Sequence, residues 1–267
     1  MIRTFKYLNL VFFLLMIGVN ALANLLPLGI GHTGDISKKY ENLFTPAPVT
    51  FFIWAIIYVL LAIFVIYQLG IFGNTAVSEA VVRLVGPWFI LTCIMNICWI
   101  FSWHYDMTWL SVVFMLGLLI SLIILVTRFT LNSTRTVSSI SSLPLSACIS
   151  VYAFEIYIGW ITAATIANIS VLLVKLDWNR FGLSSQFWTI LIIIIGALIG
   201  ALFISFGGRY MAAIAVIWAY CGILIKHISQ AGYGGTYPLI ITATIFGIII
   251  IATTGLIKAI MDLNSLS

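Results

Sequence analysis

Apolar residues run along this chain in long, nearly unbroken blocks, and short polar stretches separate one block from the next. The blocks do not alternate polar and apolar positions, so each reads as a helix rather than a strand. Each is also close to the roughly 20 residues that a helix needs to cross a bilayer. The pattern predicts spans over about 8–28, 48–70, 87–104, 108–128, 146–173, 186–205, 209–226 and 237–258. Between them lie a polar connection over 29–47, a short loop carrying Glu79 and Arg83, and a tight turn at Tyr105 and Asp106. A Ser/Thr-rich loop over 129–145 and a connection carrying Lys175, Asp177 and Arg180 follow. The fifth span is longer than the bilayer requires, so tilt or protrusion is expected.

Composition agrees with that pattern. Of 267 residues 63% are hydrophobic and only 7% charged, against roughly 25% charged in a soluble domain, and the mean hydropathy is +1.20. The expected fold is an all-α, polytopic membrane bundle, since helices satisfy their backbone polar groups internally. The net charge of +5 comes from cations scattered over loops, with no run longer than Lys38-Lys39. It reads as a topology signal in contact with the lipid bilayer, with no nucleic-acid partner.

Eight spans place both termini on one side. With the N-terminus inside, Arg3, Lys6, Arg83, Arg128, Arg135, Arg209 and Lys258 face the cytoplasm, against Lys38, Lys39, Lys175, Arg180 and Lys226 outside. The bias favours cytoplasmic termini in a cell membrane. Arg3, Lys6 and the triplet Ala21-Leu22-Ala23 also fit a secretory signal, but the apolar run continues past the triplet. An uncleaved first span is therefore expected.

Little in the chain supports enzymatic or metal chemistry. Cys93, Cys98, Cys148 and Cys221 fall inside apolar runs, and His32, His104 and His227 are not at ligand spacing. No metal and no cofactor is expected. HExxH, GxSxG, a paired-carboxylate arrangement and a nucleotide loop are all missing, so an enzyme is not expected.

Candidate chemistry sits instead on three helical stripes. Pro46 and Pro48 end the polar connection, and from there Phe51, Trp54, Tyr58, Leu61 and Val65 recur at steps of three and four. On the third span Thr92, Asn96, Trp99 and Trp103 share a face, as do Tyr157, Trp160, Ala164 and Asn168 on the fifth. Apolar stripes ordinarily mean helix packing, and membrane-interface placement accounts for Trp109, Trp178 and Trp188. Interface placement explains Trp54, Trp99 and Trp160 less well, because polar residues lie deeper on the same stripes. Asn20 and Asn24, with Pro27 beyond, mark a polar stripe on the first span, expected to bond across a helix contact rather than to line a cavity, the other role such amides take.

Three stretches carry a resemblance. YIGWITAATIAN from Tyr157 to Asn168, NICWIFSW from Asn96 to Trp103 and FTPAPVTFFIWAIIY from Phe44 to Tyr58 resemble the tryptophan-rich sensory protein family, also called the translocator or peripheral benzodiazepine receptor family. The resemblance implies a five-helix membrane core over 1–174, with a three-helix extension over 175–267 that has no counterpart in the five-helix pattern. It implies a receptor or carrier for a flat hydrophobic molecule, a tetrapyrrole or sterol, and a tendency to form homodimers. Carried over residue by residue, the ligand-binding set is Trp54, Tyr58, Asn96, Trp99, Trp103, Tyr157, Trp160, Ala164 and Asn168. Two departures stand out: Pro46-Ala47-Pro48-Val49 stands in place of the family's Pro-Pro-Gly-Trp, so that either a loop tryptophan is missing or the loop is one residue shorter, and Ile156 replaces a proline.

Glu155 is the acid deepest within an apolar run, and at 100° per residue it points away from the Tyr157 stripe. One of the last three helices is expected to cover it, with the GxxxG pair Gly196 and Gly200 permitting close approach. The alternative to a binding protein is a permease that uses Glu155 for ion coupling.

Overall fold

The computed structural model describes residues 2–26, 28–29, 31, 33–71, 75–136 and 145–265. In chain order the helices are α1 (Ile2–Leu25), α2 (Thr33–Lys39), α3 (Ile53–Gln68), α4 (Thr75–Val85), α5 (Trp88–His104) and α6 (Thr108–Thr136). They continue with α7 (Leu145–Lys175), α8 (Ser185–Gly207), α9 (Tyr210–Ile228) and α10 (Pro238–Asn264). A 3-10 turn, Pro48–Phe52, leads into α3. Proline suits that first position because its fixed φ matches the helix and its missing N–H has no partner there. The ends of α8 are equally local in origin. Ser184 accepts a hydrogen bond from Phe187 N at 3.1 Å, and Gly208 closes the helix at φ +61°.

Seven described helices are long and apolar enough to cross a membrane, and the pair α4 and α5, bent by 55°, counts as an eighth where the two are taken together as one span. The expected loop around Glu79 and Arg83 is thus a helix. Ser78, Val81, Val82 and Val85 are buried at helical spacing, while Glu79 and Arg83 pair across one turn at 4.0 Å on the other face. The 29–47 connection contains α2, and α6 runs on to Thr136 where a loop was expected; 137–144 lie outside the described residues.

Five spans close a ring. Helix α1 touches α3 and α5, α3 packs on α7, α7 on α6, and α6 on α5. Helices α8, α9 and α10 pack on one another and join the ring mainly through α9 against α7. The close approach there belongs to Gly159 of α7, where a Cβ would overlap the backbone carbonyl of Ala212. Gly196 and Gly200, expected to serve that purpose, mainly meet Tyr220 and Ile251 within the three-helix group, with Ile166 of α7 at 3.7 Å from the Gly196 position. The sequence signal for the real contact is Gly159 itself together with the small residue it meets, Ala212, in a part of α9 where Ala213 and Ala215 are buried too.

Glu155 is 6% exposed. Its carboxyl is directed at the backbone N–H of Met211, in the first turn of α9, with the Arg209 guanidinium in electrostatic range. A carboxylate is favourably placed at a helix N-terminus, where free N–H groups and the positive end of the helix dipole converge. Arg209 is in turn tied to α6 by its donation to Thr130 Oγ1 at 2.9 Å.

Candidate functional site

The three stripes meet inside the ring. Trp54 lies at the centre, with its ring stacked on Tyr58 at 5.5 Å and on Trp99 at 5.9 Å, and edge-on to Trp160 at 6.1 Å and Tyr157 at 5.9 Å. Trp99 continues to Trp103 at 6.2 Å. Such offset and edge-to-face pairs are the arrangements that aromatic quadrupoles favour.

Beside this cluster is a cavity of about 320 Å³. Trp54, Tyr58, Trp99, Trp103, Trp160, Ala164 and Asn168 line it. Asn96 and Tyr157, expected with them, do not reach its surface and form a polar layer behind it. Asn20 Nδ2 donates to Asn96 Oδ1 at 2.7 Å, and Asn96 Nδ2 donates to Tyr157 Oη at 3.2 Å. That chain ties α1, α5 and α7 together at full burial, which orients the aromatic walls in front of it. Asn168 is fixed by Ser111 of α6 at 2.8 Å. The indole N–H groups of Trp99 and Trp160 are buried without an acceptor.

Other lining residues were not singled out by the motifs. Met115 comes from α6, Asn20 and Asn24 from α1, and Ala219 and Ile223 from α9. Helix α9 reaches the cavity because it clasps the start of α3. Ala47 N donates to Gly222 O at 3.0 Å, Trp218 Nε1 donates to Thr50 O at 2.8 Å, and Gly222 leaves room for the Thr50 side chain. Every described lining residue is uncharged. Glu155 lines neither this cavity nor the second one described below.

The described residues of the 29–47 connection contribute Gly34, Ser37, Phe44, Thr45 and Pro46 to the cavity wall. They are latched by polar bonds. Lys39 and Lys175 reach the Asp106 carboxylate at 2.7 and 3.1 Å, and Tyr40 Oη donates to it at 2.9 Å. Burial alone would raise the Asp106 pKa, but the bonds from Lys39, Lys175 and Tyr40 together hold it below the usual carboxylate value. Asp106 sits at φ +58°, a left-handed turn that aspartate tolerates better than most residues. His104 Nδ1 lies 2.9 Å from Gly31 O, and His227 Nε2 lies 2.9 Å from Leu43 O. His32 lies outside the described residues. Among the described residues no cluster of three or more His, Cys, Asp or Glu side chains is placed to hold a metal ion.

With this geometry in view, comparison with protein families gives one match, to the TSPO-like protein family, over residues 6–257. The chain belongs to that family. The match runs past the ring through α8 and α9 and into α10, beyond the stretch in which the sequence motifs lie. This TSPO-like chain is therefore an integral, multi-pass, helical membrane protein. No curated protein and no solved structure matches it.

Proposed function

We propose that this TSPO-like protein binds a flat hydrophobic small molecule, of the tetrapyrrole or sterol kind, in the ring cavity. It serves as a sensor or carrier of that molecule, leaving it chemically unchanged, in a cell membrane with both termini cytoplasmic. One observation carries the reading: aromatic stripes from α3, α5 and α7, separate in sequence, converge on a single uncharged cavity. Its volume of about 320 Å³ falls within the roughly 300–1,000 Å³ of small-molecule sites, and apolar walls with a few polar groups suit such ligands. Ion-coupled transport through Glu155 is less favoured, because that carboxyl sits at the start of α9 and away from the cavity.

Substitution of a wall residue and of its neighbour tests the reading. Trp160 and Ile161 are both buried, at 2% and 0% exposure, but only Trp160 faces the cavity. Either change to alanine costs about 2–5 kcal/mol of stability by cavity formation. Trp160→Ala is expected to weaken binding of a porphyrin probe, followed by its Soret absorbance, by about 100-fold or more, to below detection. Ile161→Ala is expected to leave the affinity unchanged. Equal affinities in the two variants would make Trp160 a packing residue and remove the reading.

A further inference from the structure

A second cavity, of about 650 Å³, lies on the flank of the molecule where α7 and α8 diverge. Helix α7 packs on α9 while α8 packs mainly on α10, so no described helix fills the gap. Its floor is apolar, with Ile166, Ile169 and Leu173 from α7 and Ile192 from α8. Its mouth is polar and aromatic. Trp178 and Trp188 meet at 5.0 Å, Trp188 Nε1 donates to Arg180 O at 2.9 Å, and Asp177 and Arg180 stand beside them. Paired indoles above an apolar floor place this mouth at the membrane interface, with the floor facing the hydrocarbon.

Among the described residues, one lines both cavities. Phe44, 2% exposed, belongs to the wall of the ring cavity and of the flank cavity alike. The backbone around it is fixed, because Asn42 Oδ1 accepts from Phe44 N and Thr45 N at 3.1 Å each, and His227 lies on Leu43 O. Phe44 thus stands where the two cavity walls adjoin. The described residues of 29–47 are tied down by the Asp106 ion pairs and the His104 contact. A hydrophobic ligand is also concentrated in the bilayer rather than in water.

We infer that the flank cavity is a lateral entrance site, where a membrane-dissolved flat hydrophobic ligand docks with its polar edge at the Trp178 and Trp188 mouth before passing Phe44 into the ring cavity. The inference rests on the proposed function of the ring cavity.

The test follows binding of a porphyrin probe, preloaded in phosphatidylcholine vesicles, to the full chain reconstituted in the same lipid. Rapid mixing resolves the absorbance change, and the phase that Trp160→Ala removes reports the ring cavity. Ile169→Trp, which fills the flank floor, is expected to slow entry and release alike by about tenfold and to leave equilibrium affinity unchanged. Phe44→Ala, which opens the shared wall, is expected to speed entry and release together. Unchanged rates in Ile169→Trp, or a lower affinity at an unchanged entry rate, would overturn the entrance while leaving the ring cavity intact. Absence of any phase that Trp160→Ala removes would overturn the ring-cavity reading itself, and the entrance with it.

Discussion

Gly159→Ala is expected to loosen α9 from α7 and to lower the stability of the whole chain in detergent by about 3 kcal/mol, the upper part of the range for overpacked positions. The added methyl would overlap the carbonyl of Ala212, which is backbone and cannot rotate aside. The helices must separate instead, and close packing at Ala212 is lost. The displacement also moves the α9 wall of the ring cavity and strains the bond from Ala47 N to Gly222 O. Gly18 of α1 provides the comparison, because a methyl there meets nothing within 4 Å. Gly18→Ala is expected to be neutral or to stabilise by up to about 1 kcal/mol through helix propensity. Thermal unfolding of both variants decides the matter. A Gly159→Ala protein as stable as Gly18→Ala would mean that α7 and α9 do not approach as closely as described.

Asn96→Leu is the second large effect. It removes the acceptor of Asn20 and the donor to Tyr157 in one step, at a fully buried position joining three helices. Each buried polar group left without a partner costs about 1–3 kcal/mol, although interhelical bonds within membranes average nearer 0.6 kcal/mol. Asn20 keeps its bond to Met16 O at 2.9 Å, so Tyr157 bears most of the loss. A net destabilisation of about 1–3 kcal/mol is expected. Asn20→Leu combined with Asn96→Leu should then cost less than the sum of the single changes, since the pair acts as a unit. Strict additivity in that double-mutant cycle would show that the amide pair contributes no coupling.

Much of this architecture can be read from residue order because the chain repeats one local rule. Apolar runs near bilayer length form helices, Pro48 marks a helix start, and steps of three and four put Trp54 with Tyr58, Trp99 with Trp103 and Trp160 with Asn168 on single faces. That these faces meet is a tertiary fact, and the aromatic content of the stripes was its only hint. Helix α4 escaped because Glu79 and Arg83 sit on the exposed side of a short segment whose buried side is only four residues. The share of α9 in the cavity was not legible either. Ala219 and Ile223 are unremarkable in sequence, and what brings them there is the clasp between α9 and the start of α3, where Trp218 bonds Thr50 O from 168 positions away. Asn96 and Tyr157 illustrate a finer limit. Spacing places a side chain on a face, but whether it touches the cavity or stands behind the wall depends on how far its neighbours protrude, and here the indoles of Trp54 and Trp99 stand in front.

The central claim is that the aromatic cavity exists to hold a ligand, and the most direct measurement is to identify what the protein carries when purified from its own host. Absorbance and mass analysis of the purified chain are expected to find a flat hydrophobic compound at near-stoichiometric amount in the wild type and in Ile161→Ala, and to find it lost from Trp160→Ala. A wild-type protein that carries no such compound, or one retained equally by Trp160→Ala, would contradict the account.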